Sequence, residues 1–210
     1  MKHLQYTTVD GEGNILVSDC ENDCVYVYNE GGQFLFKFGG KGRGKGQLSH
    51  PRGICTDRAG NIIVADWGNR RVEMFDKTGR FLKHITKNIR WPHGVAMATH
   101  GQLILASDIY NRVHVYNEDG EFLFQFGSRG CGEGQLMKLP RFLTVGSEGN
   151  ILVSDCDNHR VYVYREDGKF LFRFGGKGSG DGQLNHPHGI CTDRASNIIV
   201  ADWGNRRVEM

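Results

Sequence analysis

The chain has no apolar run near the roughly twenty consecutive residues that a membrane-spanning helix requires, so no such span is expected. Its first residues, Met1-Lys2-His3-Leu4-Gln5, lack the apolar core of a secretory signal, which leads to an expected cytoplasmic location and no membrane partner. Cysteine is scarce, with six in 210 residues. Cys55 and Cys191 occupy one repeat position and Cys20 and Cys156 another, while Cys24 and Cys131 stand alone. This is repetition of a unit and does not form a disulfide framework. Cys20 and Cys24 form a C-x3-C pair, but no second Cys/His pair follows at zinc-site spacing, so no metal is expected there.

Catalytic signatures are also missing. There is no G-x-S-x-G elbow, H-E-x-x-H pair, phosphate-binding Walker loop, or G-x-G-x-x-G opening a helix, so neither an enzyme nor a cofactor is expected. The Gly-rich run Gly39 to Gly46 recurs in less basic form as Gly175 to Gly182, and both lie between strands. Cradling a phosphate calls for a helix N-terminus after the loop, so these runs read as connections.

What the chain does have is 30 glycines, 12 phenylalanines and 7 tyrosines, a composition of short strands and tight turns. Pro51-Arg52-Gly53-Ile54, Pro92-His93-Gly94-Val95, Pro140-Arg141-Phe142-Leu143 and Pro187-His188-Gly189-Ile190 open successive units. They recur every 40 to 50 residues or so, the length of one propeller blade. In the second unit Gly53 to Thr56, Ile62 to Asp66, Arg71 to Phe75 and Arg80 to Ile85 read as four strands between Gly-bearing turns. A single domain over 1–210 follows, with blades at about 4–51, 52–92, 93–140, 141–187 and a partial one at 188–210.

The residues Asn61-Ile62-Ile63-Val64-Ala65-Asp66, Asn69-Arg70-Arg71-Val72 and Gly79-Arg80-Phe81, with the connection Phe38-Gly39-Gly40 to Gln47-Leu48, resemble the NHL repeat of tripartite-motif NHL proteins. The resemblance covers essentially the whole chain. Gly13 to Met74 and Gly149 to Met210 are also largely identical, three blades apart. A doubled three-blade unit leads to an all-β, NHL-type propeller of four-stranded antiparallel blades, about four and a half blades of six. The ring is then incomplete, with exposed sheet edges able to pair with another chain. A five-bladed ring is the alternative.

Because strands of a meander alternate in direction, connections between blades share one face with the hairpins joining the second and third strands of each blade. This face is rich in Lys and Arg, whereas the opposite face carries Asp10, Glu12, Glu30, Glu118, Asp119, Glu121 and Glu148. The basic face holds the candidate ligand-binding residues Lys41, Arg43, Lys45, Arg52, Trp67, Arg70, Arg90, Trp91, His93, Tyr110, Arg129, Lys138, Arg141, Phe142, His188, Trp203 and Arg206. Interleaved cations and aromatics suit protein hot spots and also single-stranded RNA, where bases stack and phosphates meet Arg and Lys. Solvated loops with aromatics packed between blades are the plainer reading, above all for Trp67 and Trp203.

Asp19, Asp66, Asp108, Asp155 and Asp202 end the second strand of every blade. Repetition marks them as hairpin residues, pairing Asp66 with Arg71 and Asp202 with Arg207, whereas Cys24 breaks the pattern in the first blade. The resemblance implies a non-catalytic recognition module, the substrate-binding propeller of a ubiquitin ligase whose RING and coiled coil lie elsewhere, with a protein substrate as partner. A single-stranded RNA partner is the alternative, and DNA is not expected. A metal-dependent channel enzyme would need His50, His93, His186 and His188 to converge, and no blade adds a distinctive carboxylate or tyrosine beside them.

Overall fold

The computed structural model describes residues 4–87, 89–107, 111–130, 133, 135, 140–193 and 195–210. The first blade consists of β1 (Leu4–Val9), β2 (Ile15–Asp19), β3 (Cys24–Tyr28) and β4 (Phe34–Gly39). The second has β5 (Pro51–Thr56), β6 (Ile62–Asp66), β7 (Arg71–Phe75) and β8 (Phe81–Lys87), and the third has β9 (Pro92–Met97), β10 (Leu103–Ser107), β11 (Arg112–Tyr116) and β12 (Phe122–Phe126). The fourth comprises β13 (Pro140–Val145), β14 (Ile151–Asp155), β15 (Arg160–Tyr164) and β16 (Phe170–Gly175). The fifth comprises β17 (Pro187–Thr192), β18 (Ile198–Asp202) and β19 (Arg207–Glu209), with a 3-10 turn over Trp203–Asn205. Each sheet is an antiparallel meander in sequence order.

The structure is therefore a five-bladed propeller, and this corrects the expectation of four and a half blades of an incomplete six-bladed ring. Residues 187–209 make a sheet of their own, with β17, β18 and β19 in the register used by β5, β6 and β7. The first blade also reaches the fourth. The Tyr6 hydroxyl donates to the Arg141 carbonyl, and its ring stacks on Phe142. A repeat specifies how one blade packs on the next; the number of blades depends on the angle between them, which no single repeat encodes.

Successive blades share their apolar faces. Leu16, Val25 and Phe38 meet Ile54, Ile62, Val64 and Phe75 between blades one and two, and Ile63, Ala65, Val72 and Ile85 meet Val95, Leu103, Leu105 and Tyr116 between two and three. Ile104, Val113, Val115 and Phe126 pack on Leu143, Val153, Tyr162 and Tyr164 between three and four. The β6 strand is buried along its whole length, as a sheet covered on both faces requires. Near the axis the inner strands come so close that only glycine fits at two positions. A Cβ on Gly53 would lie 2.3 Å from the His93 carbonyl oxygen, and one on Gly94 would lie 2.5 Å from that of Arg141.

Candidate functional site

The Asp that ends the second strand organises the basic face. Asp66 accepts from Arg71 Nε at 2.8 Å, from Asn69 Nδ2 at 2.8 Å and from the backbone N–H of Ser49 at 2.7 Å. Arg71 in turn donates to the carbonyls of Arg43 (2.9 Å), Gly44 (2.9 Å) and Gln47 (2.6 Å). The Gly-rich loop thus turns its carbonyls inward on a guanidinium and holds no anion along that side. Asp202 and Arg207 repeat the clamp on Ser179, Gly180 and Gln183. In the first blade, where Cys24 replaces the Arg, Asp19 keeps the bond from Asn22 that matches the Asn69 bond to Asp66. These bonds pin each connection to its hairpin, so both present their outer side chains on one face. Arg70 and Arg206, at φ 58° and 56°, close the two hairpins in the left-handed region.

Lys41, Arg43, Lys45, Arg70, Arg90, Trp91, Arg129, Trp203 and Arg206 are exposed on this face. Arg52, Trp67, Arg141, Phe142 and His188 are half-buried, and His93 is only 1% exposed, which removes it from direct contact with a partner. Tyr110 and Lys138, together with Asp108, lie outside the described residues.

Two aromatic groups form. In one, Trp203 stacks on His188 (5.3 Å, 8°), His188 on Phe142 (5.2 Å, 26°) and Phe142 on Tyr6 (4.5 Å, 28°), giving a ladder through blades five, four and one. In the other, Trp67 stacks on Trp91 (6.1 Å, 20°), with the Arg52 guanidinium 4.8 Å over the Trp67 ring and His50 against its edge. Burial holds the His188 pKa below its usual value, helped by Arg141 and His186, so the charge of the face at neutral pH comes from Lys and Arg. The four histidines considered for a channel site are divided among these contacts: His50 on Trp67, His93 beside Tyr6, His186 on His159, and His188 in the ladder.

Sequence reading missed Tyr6. Its register was the available signal, since Tyr6 opposite Ser18 repeats Phe142 opposite Ser154. It also missed Lys87, which lies directly across from Arg71 in the β7–β8 pair.

With this geometry in hand, comparison with known proteins places NHL repeats in the chain: the NHL repeat model matches residues 48–75 and 138–164. Protein brain tumor of Drosophila melanogaster is 27% identical over 129 residues, covering 57% of this chain and 12% of that protein. The chain thus spans about an eighth of that relative's length. Among solved structures, virginiamycin B lyase from Staphylococcus aureus is similar with a TM-score of 0.71 at 13% identity, over 98% of this chain and 68% of that one. The gluconolactonase XC5397 from Xanthomonas campestris has a TM-score of 0.73 at 18% identity, over 94% of this chain and 68% of that one.

At such identities the likeness is of fold alone. It corrects one expectation nonetheless. Solved propellers of this fold include a lyase and a gluconolactonase, so the scaffold does not by itself make the chain non-catalytic. No helix among the described residues is long and apolar enough to cross a membrane.

Proposed function

We propose that the chain is a recognition propeller that binds a protein partner through its basic aromatic face, as the substrate-binding part of a tripartite-motif NHL ubiquitin ligase. The observation that carries this reading is the aromatic packing of the face. Trp67 has Arg52 over its ring and Trp91 stacked beside it, Phe142 has His188 and Tyr6, and Trp203 keeps an exposed side, 63% of its surface, next to Arg206. Pre-packed Trp and Arg anchors with exposed edges are typical of protein hot spots. The NHL repeats at 48–75 and 138–164 support this reading, as does the resemblance of the run Asn61 to Phe75 to tripartite-motif NHL propellers. All five described cysteines are free thiols, in keeping with a reducing cytoplasm.

One observation favours the second reading, single-stranded RNA. Trp91 and Trp203 are exposed beside Arg90 and Arg206, an arrangement able to stack a base and meet its phosphate. A displayed random-peptide library and a random single-stranded RNA pool, each offered at two salt concentrations, separate the two. Peptides enriched in acidic residues, retained by the wild type and lost with Arg70→Glu and Arg206→Glu together, are the expected result. RNA binding that falls steeply with salt, with no peptide enrichment, would transfer the face to RNA.

A further inference from the structure

The second blade carries a recess on its basic face, apart from the aromatic ladder and floored by Asn69 and Arg71 of the clamp. It encloses about 640 Å³ and is lined by Arg43, Gly68, Asn69, Arg70, Arg71, His84 and Lys87. Four of these residues are fixed cations, and no carboxylate is among them. The Arg71 charge is matched by Asp66 at 2.8 Å and Glu73 at 3.1 Å. Arg43, Arg70 and Lys87 are exposed, and their side chains have no ion pair or hydrogen bond among the described residues. Lys87 stands directly opposite Arg71 across the β7–β8 pair.

The fifth blade supplies an internal comparison. Its sequence nearly duplicates the second, and Arg206 and Arg207 stand where Arg70 and Arg71 do. Yet Ser179 replaces Arg43 and Asp181 replaces Lys45, and the cavity beside Arg206 and Arg207 also holds the Asp202 carboxylate, with His188 and Trp203. Of the four cations that line the blade-two recess, the arginines at 70 and 71 recur in the fifth blade and Arg43 does not.

We propose that this recess binds the phosphate monoester of a phosphorylated serine or threonine on the protein partner; the inference rests on the recognition function assigned to this face. Three unmatched cations suit a dianionic monoester with three acceptor oxygens better than the single charge of a phosphodiester. The lining also lacks a free aromatic ring. Trp67, next to Gly68, is covered by Arg52 and Trp91, and His84 packs on Phe81 at 5.0 Å, so a nucleobase entering with its phosphate finds no ring to stack on.

Fluorescence polarisation with a degenerate peptide pool built around phosphoserine, the same pool with serine, and a random single-stranded RNA pool tests the inference. The wild type is expected to bind the phosphorylated pool at least about tenfold more tightly than the serine pool, the worth of one charged hydrogen bond. Arg43→Ser, which installs the residue found at 179, and Lys87→Gln are each expected to remove that preference while leaving the thermal melt unchanged. Equal binding of the two peptide pools overturns the inference. So does RNA binding that the two variants weaken as much as phosphopeptide binding. If the two peptide pools bind equally and Arg70→Glu with Arg206→Glu abolishes the binding of both, the recognition face stands and only the phosphate site falls. If no peptide pool binds, both readings fall.

Discussion

Tyr6 of the first blade stacks on Phe142 of the fourth with ring centroids 4.5 Å apart, and its hydroxyl donates to the carbonyl of Arg141. Two residues far apart in the chain thereby join blades that share no strand pairing. Phe142→Ala removes this contact and the stack on His188, and is expected to lower stability by about 2 kcal/mol, read from the urea midpoint. Tyr6→Phe keeps the ring and loses only the hydroxyl, for an expected cost of about 1 kcal/mol. If both variants unfold at the wild-type midpoint, the axial contact does not hold the blades together.

The inner strands make a second prediction with its own control. Gly94→Ala would place a methyl 2.5 Å from the Arg141 carbonyl oxygen, whereas the same change at Gly189 meets only the Ala201 methyl at 3.9 Å. Gly94→Ala is expected to cost about 3 kcal/mol and Gly189→Ala less than about 1 kcal/mol. Comparable losses in parallel denaturation curves would show that the approach of blades three and four is not what demands glycine.

Glu73 ties stability to pH. Its carboxylate is fully buried, approached by Arg71 and by His84 at 3.1 Å each, yet neither oxygen accepts a well-aligned hydrogen bond. Burial, opposed by Arg71 and reinforced by Asp66, pushes its pKa up to about 7 from 4.5. Between those values the folded protein keeps a proton that the unfolded chain has lost. Raising the pH through this window therefore removes stability, and above it the loss is constant.

Glu73→Gln holds the group neutral. It is expected to match the wild type near pH 5 and to exceed it at pH 8 by roughly 2–3 kcal/mol. Repeating the comparison in a His84→Gln background separates Glu73 from His84, whose lowered pKa makes stability fall as the pH drops through its usual value. A difference independent of pH would show that Glu73 stays ionised in the fold.

Local structure was legible wherever β-branched runs lay between Gly-bearing turns. Ile62 to Asp66 and Arg71 to Phe75 are strands with the bounds their sequence suggests, and Asp66 pairs with Arg71 as Asp202 does with Arg207. Strand ends were less legible. β5 begins at Pro51 instead of Gly53, because Pro51 pairs with Asp66 through a bulge, and β8 runs on to Lys87. The loop cations and aromatics were readable one by one; that Tyr6 stacks on Phe142 was not, because those rings come from blades far apart in the chain.

By itself the amino-acid sequence determined the repeating blade, its strand order and the charge carried by each loop. These follow from local turn chemistry and alternating burial, which act over a few residues. Tertiary structure alone decided that there are five blades, that Tyr6 and Phe142 meet at the axis, and that Arg43, Arg70 and Lys87 surround one recess. Those outcomes depend on the angle between neighbouring sheets and on the distances it leaves across the ring, which are properties of packed blades and not of any one repeat.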